Sequence, residues 1–535
     1  MTLEIYDCTP REGSQADGAH LSLANRIALA ELLDDFGVDY IELGWPISDD
    51  VMKAFHELNG KLKKAKLTAF GSTSMSSNPS EDANLKALVE SKAPYACIFG
   101  KTWLEHVERQ LKLTPDENLK RIKESILFLK SKGMNVFYDA EHYFDGFKSN
   151  KEYAVKTLNE ALNAGAERII LCDTNGGTLT NEVKEIVEKT TEMLVNCGFE
   201  REKIKCSLGA HFHDDCGLAL ANAIAVLPFV KQMQGTINGL GERIGNLNFS
   251  VFLPLYTLKM KQKHKVELLK IKKVNGKSFA LFGLEIPERT PFVGDTAFAH
   301  KGGVHVNALE RKASYEHIMP EEVGNKRRII LNTLGGRSAI ISVAESLGYL
   351  IDKKNEDVKE KCQKLYGELK ILEERGYKIG TLKAEQYLLI EKYFGKLNEF
   401  FSIKEWHVKS GKEGSSFEVI AEINGKIIEK SIAIEGGPVD AEFKALKGIL
   451  HDSYPEIGEL ELVDFHMVIA NLSGEASTVR NEVKFSDGED FITVGVNSNL
   501  LGASLEALTK GFNYYLNKNK KSQDIKVENE ERIVC

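Results

Sequence analysis

The sequence predicts an α/β protein: a closed (β/α)8 barrel, then a helical linker region, then a C-terminal α+β domain with a pseudo-twofold repeat. Three observations carry this. Short β-rich runs alternate with amphipathic helical segments through the first half of the chain. Each run ends, at its C-terminal side, in residues able to do chemistry. From about residue 400 to 516, one arrangement of strands, Gly-rich turn and helix occurs twice.

The eight runs are Leu3–Asp7, Asp39–Leu43, Lys66–Phe70, Tyr95–Phe99, Asn135–Asp139, Arg168–Cys172, Cys206–His211 and Met233–Ile237. The segments between them read as helices. In SLANRIALAELLDDFG, the residues Ile27, Leu29, Ala30, Leu32, Leu33 and Phe36 fall largely on one stripe, which stops at Gly37. LNEALNAG and NEVKEIVEKTTEMLVNCG also stop at Gly, the residue that closes helices. Such alternation makes a parallel sheet, and eight units ending near residue 260 close it into a TIM barrel. An open doubly wound sheet would usually show fewer units and a Gly-rich phosphate turn after the first strand. Here GLGERIG follows the last strand and does not fit GxGxxG. The strand ends read IYD-CTPRE, IELGW, AFGSTS, IFGKTW, FYDAEH, LCDTNGG, AHFHDD and INGLGERIGN. In a barrel these converge on one mouth, where the active site is built.

The barrel is expected over residues 1–270 and a linker region over 271–395. In the linker, PFVGDTAFAHKGGVHVNAL is Gly- and His-rich without helical period, and SVAESLGYLI, DVKEKCQKLYGELKILEERG and AEQYLLIEKYFG read as helices. Residues 396–516 form the duplicated domain, in which IEGGPVDAEFKAL and VGVNSNLLGASLEAL occupy matching places. The tail 517–535, rich in Lys, Asn and Ser, is expected to be disordered.

Composition narrows the function class. The 535 residues carry 70 Lys and Arg against 78 Asp and Glu, a net charge of −8. A generic nucleic-acid binder needs basic patches, so no nucleic-acid partner is expected. There is no apolar run long enough to span a bilayer, and MTLEIYDCTPREG does not resemble a secretory leader. Eight cysteines form no CxxC, and Cys97, Cys172 and Cys206 fall in β-like apolar runs where a thiol acts as a small hydrophobe. Reduced cysteines and a cytoplasmic location are expected, with no membrane partner.

His211-Phe212-His213 is the strongest local signal. Residues i and i+2 of a strand share a face, so both imidazoles point into the lumen as two ligands for one metal. An isolated HxH is more often structural; at a barrel strand end the odds reverse. Asp214 and Asp215 could orient the rings. Glu12 and Asn246 are oxygen donors at the same mouth, and two nitrogen with two oxygen ligands suit Zn, Mn or Mg. For Glu12 the alternative is a salt bridge to Arg11. Arg11 itself is a clamp for a carboxylate or enolate. An unpaired lumen Arg is costly, which points to a partner such as Glu42. Thr174 offers a hydroxyl, and Asp139, Glu141 and His142 offer acid/base groups after the fifth strand.

DCTPREGSQ, VDYIELGWP, HFHDDCGLALANAIA, GTINGLGERIGN, AFAHKGGVHVNAL and ITVGVNSNLLGASLEAL together resemble the 2-isopropylmalate/homocitrate/citramalate synthases over nearly the whole chain. Within that family FYDAEHYFDGFKSN, IFGKTWLEHV and the GWP after the second strand look most like the citramalate synthases. The resemblance implies a metal-dependent Claisen-type condensation of acetyl-CoA with pyruvate, on an isoleucine-forming route. 2-Isopropylmalate or homocitrate synthesis is the alternative. It implies that Arg11 holds the oxo-acid carbonyl, that Glu12, His211, His213 and Asn246 ligate the metal, and that Thr174 and Glu141 lie near the oxo-acid carboxylate and the acetyl methyl. It further implies a general-base pair, His305 and Tyr315, delivered by the linker region, and a homodimer whose C-terminal domain binds isoleucine or leucine as effector. The chain departs from the pattern once: TPREG stands where citramalate and isopropylmalate synthases usually read TLRDG, and Glu there is what homocitrate relatives use.

Rival readings remain at this point. Lyases cleaving 3-hydroxyacyl-CoA share the barrel but usually lack the duplicated domain. Two His and one carboxylate also make an oxygenase triad. A pure amino-acid sensor would use only the residues after about 400.

Overall fold

A computed structural model describes residues 2–301, 316–380, 382–471 and 477–534. Eight parallel strands form a closed barrel in sequential order: β1 (Glu4–Asp7), β2 (Tyr40–Gly44), β3 (Lys66–Ser72), β4 (Tyr95–Lys101), β5 (Asn135–Glu141), β6 (Arg168–Asp173), β7 (Leu208–Phe212) and β8 (Gln232–Gly235). All eight expected strands are present. The seventh starts two residues late, because Cys206 and Ser207 finish the helix Arg201–Ser207. Cys206 is therefore exposed, not buried in a strand, as are Cys197 and Cys216. Cys8, Cys97, Cys172 and Cys362 are buried, and all seven are free thiols.

Local chemistry sets the helix ends. Ser22 caps Leu23–Phe36 by accepting from the Asn25 N–H at 3.2 Å, and Gly37 ends it at φ 98°, a left-handed conformation open to Gly. Thr114 and Glu117 form a capping box on Pro115–Ser131, with Pro at the first turn. The apolar faces of these helices and the outward faces of the strands make one continuous core. Inside the barrel, Tyr6, Tyr40, Tyr95 and Phe137 interlock with ring centroids 5.1–5.9 Å apart. They fill the lumen beneath the mouth, so the barrel is a packed core with a floor.

The described chain divides into two compact units, Met1–Phe298 with Ile318–Lys326 and Ala299–His317 with Arg327–Cys535. The second holds the short parallel pair β9 (Ala299–His300) and β10 (Arg328–Ile329) and the helices Gly336–Ser346, Glu356–Glu374 and Lys383–Phe394. The duplicated domain follows. Antiparallel strands β11 (Phe401–Gly411), β12 (Gly414–Ile423) and β13 (Lys426–Ile434) lead to the helix Pro438–Leu450. Strands β14 (Glu461–Asn471), β15 (Thr478–Ser486) and β16 (Asp490–Asn497) then lead to the helix Leu500–Val534. Residues 517–534, expected to be disordered, continue that last helix. No helix among the described residues is long and apolar enough to cross a membrane.

Candidate active site

A cavity of about 160 Å³ opens at the C-terminal mouth of the barrel, lined among others by Arg11, Glu12, Asp139, Glu141, Thr174, His211 and His213. Glu42, expected in the same set, lies beneath Arg11, fully buried. His305 and Tyr315 lie outside the described residues.

Arg11 arrives on a single helical turn, Thr9–Glu12, directly after β1. The turn is pinned by Thr9, whose hydroxyl accepts from the Ile237 N–H at 2.8 Å beyond β8. The Arg11 Nε donates to Glu42 Oε1 at 2.5 Å, Nη1 pairs with Glu12, and the guanidinium lies 3.8 Å from the centre of the Phe70 ring. Burial works against this charge, but Glu12 and Glu42 outweigh it and hold the guanidinium firmly protonated. Glu12 shows the same contest: burial raises it, and Arg11 followed by the two imidazoles brings it down to about 2. Burial first, and His211 second, keep the His213 imidazole neutral down to about 3.

Asn246 reaches the site through a folded-back loop. GLGERIGN returns to β7 and forms an antiparallel bridge, His213 with Asn246. The turn needs glycine at 245, where φ is 104° and a Cβ would lie 1.9 Å from the Gly239 carbonyl oxygen. Asn246 Nδ2 donates to the Leu240 carbonyl at 3.2 Å, and its Oδ1 is buried without a partner.

Two buried clusters could in principle hold a metal: Glu12 with His211 and His213, and Glu42 with Cys97 and Asp139. Their hydrogen bonding separates them. In the first, Glu12 Oε2, His213 Nδ1 and Asn246 Oδ1 are buried without partners. Open donors in a buried site call for a ligand, and a set of two imidazoles, a carboxylate and an amide oxygen fits a divalent cation. In the second, Glu42 accepts from Tyr6 Oη at 2.6 Å and from Arg11, and Asp139 accepts from the Cys97 thiol at 3.1 Å and Gln234 at 3.2 Å. That cluster is already satisfied. Burial, and then Glu42, push Asp139 up to about 6.

Asp214 and Asp215 do not orient the imidazoles, contrary to expectation. Asp214 accepts from the Ala219 N–H at 2.9 Å, and Asp215 pairs with Arg243 at 2.7 Å. The turn after β7 spends both on its own geometry, and the His211 ring is instead met by Gln234, 2.9 Å from Nδ1. Thr174 Oγ1 accepts from the His142 N–H at 2.9 Å. Glu141 lies 2.6 Å from Lys101 Nζ, off its hydrogen-bonding direction, so Oε2 still lacks an aligned donor. Sequence reasoning missed Tyr6, Phe70, Lys101 and Gln234. Only Gln234 left a usable signal: QMQ in a barrel strand puts two amides on the lumen face.

Comparison with known proteins follows the same outline. A family model described as HMGL-like matches residues 2–276, one described as homocitrate synthase post-HMGL domain-like matches 292–371, and one described as LeuA allosteric (dimerisation) domain matches 382–516. An (R)-citramalate synthase of Aquifex aeolicus is 39% identical over 531 residues, covering 96% of this chain and 98% of that protein. One of Geobacter sulfurreducens is 38% identical, covering 98% and 99%. One of Sulfolobus acidocaldarius is 37% identical, covering 97% and 98%. A divalent-metal barrel, a helical region and a duplicated C-terminal domain thus recur in one order from end to end, and the chain belongs to the (R)-citramalate synthases within the HMGL-like family.

Proposed function

We propose that the chain condenses acetyl-CoA with pyruvate and water to (R)-citramalate and CoA. One observation carries the reading: a fixed guanidinium and an open donor set share a small cavity walled by Phe70 and Phe99. Those two rings stack 5.4 Å apart, with Trp45 edge-on to both. A cavity of about 150 Å³ takes a benzene-sized molecule, which favours pyruvate over a branched oxo acid and leaves CoA at the open mouth.

Glu12, His211, His213 and Asn246 would hold the divalent metal, Zn, Mn or Mg. Bound there, it supplies Lewis acidity toward the oxo-acid carbonyl. Arg11 faces the same carbonyl and stabilises the alkoxide that forms when the acetyl carbon attacks. Its fork is held by Glu42 and Glu12, so little reorganisation is needed. A base takes the acetyl methyl proton. His305 with Tyr315 fills that role in our reading, with Glu141 at the mouth beside Lys101 positioned to assist. Asp139 and Thr174 border the space for the oxo acid. Water then cleaves the thioester, releasing CoA thiol.

We further propose a homodimer with isoleucine or leucine as effector of the duplicated domain. The match to an allosteric dimerisation domain supports it. So does the edge strand β14, where Val463, Phe465 and Ile469 are 49%, 45% and 60% exposed; long apolar edges are normally covered.

The test is a panel of 2-oxo acids with acetyl-CoA, read by free thiol release, with each amino acid added in turn. Pyruvate should give the fastest release. Preference for 2-oxoisovalerate would mean 2-isopropylmalate synthesis, and no thiol with any oxo acid would end the synthase reading.

A further inference from the structure

We propose that Gln234 is a positioning residue that sets the tautomer of His211 and so presents one ring nitrogen to the metal. The inference rests on the metal reading given above and extends it to a residue that touches neither metal nor substrate.

β8 is four residues long, and its period of two places Gln232 and Gln234 on the lumen face while Met233 enters the outer core. Gln234 is fully buried. A buried amide must place both its oxygen and its NH2. One end lies 2.9 Å from His211 Nδ1; the other lies 3.2 Å from Asp139 Oδ1 and 4.0 Å from Cys97 Sγ.

The direction of the amide follows from its partners. Asp139 Oδ1 already receives the Cys97 S–H at 3.1 Å, so it acts as an acceptor. The end of Gln234 facing it is therefore the NH2 donor, and the carbonyl faces His211. His211 Nδ1 must then carry its proton and donate it. Nε2 is left with a free lone pair, the form a metal needs.

The side chain has to be neutral to do this. Glu42, Cys97 and Asp139 present ligand atoms within 4.8 Å of one another just beyond it. A carboxylate at 234 would add charge there and could not donate to Asp139. The two imidazoles are thus held in different ways. His213 has a backbone bridge to Asn246 and an unpartnered Nδ1, whereas the His211 ring is met by Gln234, whose other end reaches Asp139 in the wall of the substrate cavity.

The test uses the full chain, stripped of metal, with histidine nitrogen-15 labelling. His211 is assigned by its loss in His211→Ala. The parent should show His211 protonated at Nδ1, and Gln234→Met, which fills the volume with only a weak thioether acceptor in place of the carbonyl, should lose that preference. Cobalt(II) affinity, read from visible absorption against a competing chelator, should fall about 10- to 100-fold in Gln234→Met. Its melting temperature without metal should stay within a few degrees of the parent. A parent His211 protonated at Nε2, or undiminished cobalt binding by Gln234→Met, overturns the inference. If Gln234→Met does not fold, the parent tautomer still decides it. If His211→Ala itself binds cobalt as tightly as the parent, the metal reading fails first.

Discussion

Arg11 is held in place by four groups at once: Glu42 at its Nε, Glu12 at its Nη1, Phe70 against its face, and the single turn that carries it. A lysine there keeps the charge but loses the planar fork that the two carboxylates grip. Arg11→Lys should therefore lower kcat by about 10²- to 10³-fold while metal content, measured by elemental analysis, stays at the parent level. Loss of metal together with activity would mean that Arg11 acts mainly by holding Glu12. At this scale the sequence was readable where a rule of cost applied. A lumen guanidinium is costly without a carboxylate, which points to Glu42, and HxH at a barrel strand end favours a metal over a structural pair. It was unreadable where a residue serves only through another. Phe70 reads as ordinary core and Lys101 as ordinary surface until the fold brings one against Arg11 and the other against Glu141.

Elements add constraints that no single side chain shows. The loop GLGERIGN turns back so tightly that a methyl on Gly245 collides with the Gly239 carbonyl. Gly245→Ala should displace Asn246, cost about 1–3 kcal/mol, and weaken metal binding about tenfold or more, as titration against a chelator would show. The helix Pro438–Leu450 carries a different burden. Glu442 on it is fully buried, both carboxylate oxygens lack partners, and burial pushes the group up to about 8. Between its unfolded value near 4.5 and about 8, the folded chain holds a proton that the unfolded chain has lost. Stability from this group is thus full below about pH 4.5 and drains away as pH rises through 8. Glu442→Gln removes the titration. The variant should match the parent near pH 4 and exceed it by on the order of 5 kcal/mol above pH 8, by thermal melts across that range. The strands themselves were legible as apolar runs. The start of β7 was not, because nothing in KIKCSLGAHF breaks helix from strand: no Gly or Pro falls before Leu208. The tail from Asn517 was misread because a polar composition does not exclude a helix that continues one already anchored by Leu508, Phe512 and Tyr515.

Over the whole molecule, family boundaries and packing boundaries do not coincide. Val494 and Val496 of β16 sit in the same apolar cluster as Leu365, Leu369, Leu389 and Ile390 of the preceding helices. Glu385 accepts from the Val494 N–H at 2.7 Å. The helical region is thus completed by the end of the duplicated domain. A chain cut after Phe400 should not be a simple feedback-free enzyme; its helices Glu356–Glu374 and Lys383–Phe394 would lose part of their core. It should aggregate or lose helicity by circular dichroism and size exclusion, and a monodisperse, fully helical product would contradict this. Feedback is better probed by point substitution in the intact chain. The cysteines bear on the assay itself. Cys8, Cys97 and Cys172 lie buried in the barrel, and burial holds their thiols protonated. Cys197, Cys206 and Cys216 face solvent. Any colorimetric reagent chosen to count CoA will also meet these three among the described thiols, so the enzyme carries its own blank, and turnover is only visible once that stoichiometric burst has been subtracted.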